Sequence, residues 1–184
     1  MSQVSVLSES ELQTFLAKIQ DVRAYLNNTT MSNLELAQPP LMIDGHVYRY
    51  PQDVGPNEKN GDAGEYKTYP GAPRARVLGG VVYDSPAPGL KIVLMFSITE
   101  PARPNVLKVA FYRGQVPASF ISEMYNSPNY GSSAITMYWD GLAWVTLKVE
   151  AAPPSPGATI SAAYTLTSSD SPGNFGAAPS AAAV

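Results

Sequence analysis

At 184 residues, with no cysteine and a net charge of −3, the chain is long enough to bury one core, and it excludes disulfides and thiolate metal sites. Its basic residues are scattered without a block, so the electrostatic footprint of direct nucleic-acid binding is missing. Charged residues make up only 15 %, against 17 prolines, 14 glycines and 11 tyrosines, a profile of short strands joined by turns and of a surface that neighbours cover.

The opening residues, MSQVSVLSESE, hold neither a basic n-region nor an apolar h-region, and no apolar run is long enough to cross a bilayer. A soluble protein without a secretory signal is expected. Leu12, Phe15, Leu16, Ile19, Val22 and Leu26 recur at helical spacing, which predicts an amphipathic helix over 9–26 within an N-terminal segment 1–30. Ser8 with Glu11 reads as its capping box, Leu7 with Leu12 as its hydrophobic staple, and Asn27-Asn28 end it. The overlapping sequons from Asn27 and Asn28 read as chance in a chain with no signal peptide.

Residues 31–168 are expected to form one β-sandwich domain. Asp44-Gly45, between LMI and HVYRY, predicts a short hairpin. From 51 to 74 neither helical nor strand period is present, and a loop of that length is usually functional or mobile. Strand patterns return over 75–84, 90–99 and 105–113, separated by DSPAPG and EPARP turns. The middle run is almost wholly apolar, as a strand buried on both faces would be. Within the first, Gly79-Gly80 marks a bulge or a close packing contact. Pro117 is placed to start a short helix running through Met124.

The clearest strand signal is AITMYWDGLAWVTLKV, residues 134–149. Asp140-Gly141 predicts a two-residue turn that sets Trp139 opposite Leu142 and Met137 opposite Trp144, with both tryptophans on one face. Tyr138, Val145, Leu147 and Val149 then share the other face. A hairpin apolar on both sides is expected at the centre of the sandwich. One more strand is expected over 158–168, and the Pro/Gly/Ala-rich tail 169–184 reads as flexible, ordering only against a neighbour. The whole is a mainly β chain: an antiparallel sandwich, jelly roll or related Greek key, with an N-terminal amphipathic helix.

Catalytic templates fail at named places. His46 is the single histidine and sits after a turn, with no G-x-S-x-G elbow to serve. Asp84-Ser85-Pro86 and Asp170-Ser171-Pro172 are turn composition, with proline where an aspartyl signature needs glycine. Asp53, Glu58, Asp62 and Glu65 are candidates to gather around calcium but miss the EF-hand spacing. Neither a cofactor nor a metal is expected, and the chain is read as not an enzyme. The interaction candidates are Tyr48, Tyr50, Tyr66, Tyr69, Arg74, Arg76, Trp139 and Trp144, because tyrosine, tryptophan and arginine are enriched at interfaces and aromatic rings stack on sugars.

A short sandwich-like domain without cysteine, poor in charge, rich in Pro, Ser, Thr and Ala and ending in a small-residue tail resembles the structural proteins of small non-enveloped viruses. The hairpin from Tyr138 to Trp144 is similar to hairpins of phage fibres and other virion surface proteins. This resemblance implies a coat or capsid-surface subunit, found in the virion and in the host cytoplasm before assembly. Its partners would be its own copies in a capsid lattice and other virion proteins, with no membrane partner. The chain departs from many icosahedral coats in lacking a basic N-terminal arm; the amphipathic segment stands there instead. The rival expectation is a sandwich that binds carbohydrate or a receptor through Tyr66, Tyr69, Arg74 and the long loop.

Overall fold

The most apolar part of the chain forms its most completely buried sheet. A computed structural model describes residues 20–69, 76–98 and 104–169. Within it, β5 (Val77–Asp84), β6 (Leu90–Ile98) and β7 (Val106–Arg113) make an antiparallel meander in unbroken register. With β2 (Leu36–Asp44) added beside β5, the four-stranded sheet runs β2-β5-β6-β7. One face, with Val81, Tyr83, Ile92, Leu94, Phe96 and Val109, packs into the main core. The opposite face, with Leu78, Val82, Val93, Met95 and Ala110, lies under helix α1 (Ala118–Asn126) through Phe120, Ile121 and Met124. A β6 that is buried on both faces explains its nearly continuous apolar run.

Gly79 and Gly80 are a packing device within a continuous strand. A Cβ on Gly80 would lie 2.5 Å from Ile121 Cδ1, and one on Gly79 2.6 Å from Met42 Sδ. The missing side chains let α1 approach one face of β5 and Met42 the other. α1 begins after Pro117, as expected, and extends to Asn126.

The second sheet has six strands in the order β3-β4-β1-β10-β9-β8. Its members are β1 (Asp21–Asn28), β3 (His46–Arg49), β4 (Gly61–Lys67), β8 (Ser133–Trp139), β9 (Trp144–Ala151) and β10 (Thr159–Ser169). Val22, Ala24, Leu26, Tyr66, Leu147, Val149, Ile160, Tyr164 and Leu166 face the four-stranded sheet and complete the core. The two layers make a mainly β sandwich, antiparallel except where β1 pairs parallel with β10.

Tyr66 stacks on Phe96 with centroids 4.4 Å apart across the layers, and the Tyr164 hydroxyl donates to Met95 O at 2.9 Å. Burial drives the Tyr164 phenol well above its ordinary pKa, so it is a permanent donor. Tyr164→Phe removes this inter-sheet bond with little change in volume, and is expected to lower stability by about 1 kcal/mol in urea unfolding.

Several expectations are corrected. The helix over 9–26 does not run to its expected end: residues 9–19 lie outside the described residues, and Asp21–Asn28 is a strand inside the six-stranded sheet. Val22, Ala24 and Leu26 alternate inward while Arg23, Tyr25 and Asn27 face out, the two-residue period of a half-buried strand. The described end of the segment 1–30 therefore belongs to the sandwich, and residues 1–19 lie outside the described residues. Residues 51–74 are not one loop, since Gly61–Lys67 forms β4 between β1 and β3; residues 70–75 lie outside the described residues.

Asp44-Gly45 does not turn a hairpin. β2 ends at Asp44 in one sheet and β3 begins at His46 in the other, so Gly45, with φ +83°, is the point where the chain changes layer. The tryptophan hairpin is not central either: β8 is an edge strand. The expected tail falls outside the described residues beyond Ser169, which is the last residue of β10.

Candidate interaction surface

The β8–β9 hairpin closes differently from a two-residue turn. Trp139 pairs with Trp144 and Met137 with Thr146, so Asp140 to Ala143 form a four-residue loop. Asp140 Oδ1 accepts from the N–H groups of Leu142 and Ala143 at 2.7 and 2.8 Å, and Asp140 N–H donates to Ala143 O. An aspartate able to bond two amides ahead of itself stabilises this wider loop, with Gly141 at φ +106°. These bonds hold the Asp140 carboxyl below its ordinary pKa.

Both tryptophans share one face, as expected, with ring centroids 5.8 Å apart in an edge-to-face contact. Tyr138, Val145, Leu147 and Val149 point the other way, into the core side. The tryptophan face is open: Met137 is 56 %, Trp139 52 %, Trp144 54 % and Leu142 90 % exposed. Four large apolar side chains clustered on one edge hairpin make a patch of the kind that marks a contact site. Met137 and Leu142 were not among the sequence candidates. The alternation Ile135-Met137-Trp139 carried the signal for the first; Leu142 lies in the loop between the two tryptophans.

The tyrosine candidates occupy the opposite edge of the same sheet, with β4, β1, β10 and β9 between. Tyr48, Tyr50 and Tyr69 are exposed. His46 stacks on Tyr69 at 5.0 Å, and Lys67 Nζ sits 3.4 Å from the centroid of the Tyr48 ring. Tyr66 is a correction: it is fully buried, its hydroxyl donates to Ala63 O at 2.8 Å, and it belongs to the core. Arg74 lies outside the described residues. Arg76 pairs with Asp44 at 3.1 Å and stands over the Tyr125 ring at 5.0 Å, so it links the start of β5 to the end of α1.

Beneath the tyrosine edge runs a charge network. Lys67 Nζ lies 2.9 Å from Glu65, Arg49 pairs with Asp62 and reaches Glu65 at 3.8 Å, and Arg23 lies 3.6 Å from Asp21. Burial pushes the Asp21 carboxyl above its ordinary pKa, and the charge of Glu65 adds to the rise. The hydrogen bond from Lys67 holds Glu65 below its own. The two carboxylates thus act oppositely on stability. Asp21 favours folding most when protonated, and that contribution is lost as pH rises through its raised folded pKa. Glu65 contributes above the ordinary carboxylate pKa and loses its contribution as pH falls through its lowered one.

Asp21→Asn is therefore expected to stabilise the protein at pH 7, by about 1 kcal/mol or less, about 2–4 °C in thermal midpoint. The gain should shrink as pH falls through the raised folded pKa of Asp21 and be gone once pH is below the ordinary aspartate value, which a set of melting curves across pH would read.

The four loop carboxylates do not converge. Asp53 Oδ1 accepts from Leu36 N–H at 2.8 Å, Glu58 Oε2 from Gly55 N–H at 2.5 Å, Asp62 from Gly64 N–H and Arg49, and Glu65 from Lys67. Among the described residues no cluster of three or more His, Asp or Glu is placed to hold a metal ion, and no helix is long and apolar enough to cross a membrane. What the surface offers chemically is aromatic and aliphatic area at two edges of one sheet. Comparison with protein-family models and with curated proteins found no match for this chain.

Proposed function

We propose that the protein is a structural subunit that works by protein–protein contact and associates with its own copies, in the setting of a virion coat or capsid surface. The observation that carries this reading is the patch of Met137, Trp139, Leu142 and Trp144 on an edge hairpin. Among the described residues the core closes around Phe96, Tyr66 and Tyr164 without those side chains. Covering them in a symmetric contact would remove the largest apolar side chains from water. The coat-protein setting is supported by the charge-poor, Pro/Ser/Thr/Ala-rich composition and by the sandwich.

A jelly roll or related Greek key is the finer fold assignment within this proposal. It is supported by the crossings between sheets at β1–β2, β2–β3, β4–β5 and β7–β8, while the parallel β1–β10 pair departs from an all-antiparallel roll. Sedimentation velocity over a range of concentrations tests the function: species larger than a monomer are expected, and a strict monomer at high concentration would refute self-association.

The exposed tyrosines Tyr48, Tyr50 and Tyr69, with half-buried His46 stacked on Tyr69, favour a second reading, recognition of a glycan or receptor. With Tyr66 in the core, the test falls on Tyr48→Ala and Tyr69→Ala, whose loss of signal on a glycan array would support that reading.

A further inference from the structure

A sandwich of two open sheets has four strand edges, and here three of them are guarded against pairing with another chain. β3 is four residues long and shifts register between Val47 and Arg49. β2 contains Pro39-Pro40 and shifts register three times along β5. β7 has its Val109 N–H already taken by Gly131 O at 2.9 Å, while its Lys108 is bound to the carbonyl groups at the end of α1. Proline, short length, bulges and a covering loop are devices that blunt strand edges.

β8 has none of them. Ser133–Trp139 runs seven residues in continuous register with β9, holds no proline, glycine or charge, and has no strand among the described residues hydrogen-bonded along its other side, where β7 approaches only at the start, through Val109 N–H and Gly131 O.

The hydrogen-bond phase of β8 is fixed by its ends. Ala151 N–H donates to Ser132 O, and Asp140 N–H donates to Ala143 O. Even-numbered residues therefore turn their backbone groups toward β9, and Ser133, Ile135, Met137 and Trp139 turn theirs toward the open edge. The order of side-chain sizes is self-complementary. Read in opposite directions, Ser133 meets Trp139, Ala134 meets Tyr138, Ile135 meets Met137, and Thr136 meets itself. Small faces large at each end, and every pair that would exchange backbone bonds joins two odd-numbered residues, as the phase requires.

We propose that two copies of this chain pair antiparallel along β8 about a two-fold axis at Thr136, joining their six-stranded sheets into one. The proposal rests on the self-association reading above and names its geometry. An uncharged strand meets its own copy without like-charge repulsion, and a partner of other sequence would not call for this size order. Ile135, Met137 and Trp139 of both copies then form one continuous strip across the junction, and the side of each Trp139 ring that faces the junction packs beside residues of the other copy.

The absence of cysteine makes the test direct. At the axis, Thr136 and its copy form a non-hydrogen-bonded pair with Cα atoms about 4.5 Å apart, within disulfide range. Thr136→Cys is expected to form a covalent dimer on mild oxidation, and Ser161→Cys, on the exposed side of β10, is expected not to. Met137→Pro removes only an outward-facing N–H and leaves the bonds to β9, and Met137→Lys places a charge on the edge. Either should weaken association at least about tenfold in dissociation constant, about 1.4 kcal/mol, with an unchanged circular dichroism spectrum.

If the wild type associates but Thr136→Cys does not cross-link and folded Met137 variants associate as before, the β8 pairing is wrong and self-association stands. A wild type that stays monomeric at every concentration overturns both. If neither Met137 variant folds, the Thr136→Cys and Ser161→Cys comparison decides.

Discussion

Phe96→Ala is expected to cost about 3–5 kcal/mol, about 10 °C in thermal midpoint for a chain of this size. Phe96 is fully buried on β6, where it faces the six-stranded sheet and stacks on Tyr66. Its neighbours in the ladder are Gly79 on β5 and Leu107 on β7. Gly79 has no side chain to swing into the space, and Met42 already occupies the position above it. The site is therefore poorly able to collapse, which puts the loss at the upper end of the usual range for large-to-small core changes. Urea unfolding monitored by circular dichroism measures it. A loss below about 1 kcal/mol would mean that Phe96 does not hold the two layers together.

Gly45→Val is the second large effect, expected at about 2–4 kcal/mol. Gly45 takes φ +83° at the change of layer between β2 and β3, and a Cβ there would sit 2.7 Å from the backbone oxygen of Lys67. That oxygen belongs to β4 and cannot move without disturbing the β3–β4 pairing. Gly89 supplies the comparison: it has φ +73° with open space around its missing Cβ. Gly89→Ala should show the conformational cost alone, about 1–2 kcal/mol. The excess at Gly45→Ala over Gly89→Ala reads the contact with Lys67, and equal losses would remove the contact from the explanation.

These positions also show what was legible in the sequence. β6 declared itself because a strand buried on both faces has no polar phase to misread. β1 did not, because Val22 and Leu26 are four apart, a spacing that satisfies a helix and a strand alike; the stripe from Leu12 to Ile19 tipped the reading toward helix. β4 was missed because GDAGEYK has little intrinsic strand preference, and its pairing on both sides overrides that. At Asp44-Gly45 the dipeptide marks a residue with positive φ correctly, but it does not say whether the chain returns along its own sheet or crosses to the other.

The candidate surface divided along the same line. That both tryptophans share a face follows from period alone and survives a change of loop length, since moving from two to four loop residues keeps the parity. That the face is exposed depends on no described element packing over the outer side of β8 and β9, which is a property of the layering that no local pattern encodes. Tyr66 failed as a surface candidate for the converse reason: tyrosine composition does not distinguish a ring at the rim from one stacked in the core.

Trp139 and Trp144 are the only tryptophans of the chain, so tryptophan emission reports on the proposed contact surface and nothing else. The decisive measurement is the emission maximum followed from dilute to concentrated protein, with sedimentation on the same samples. The account predicts a blue shift that tracks the appearance of the larger species, as the junction side of Trp139 leaves water. Growth in mass with an unchanged, water-exposed emission would contradict it, and so would a monomer throughout.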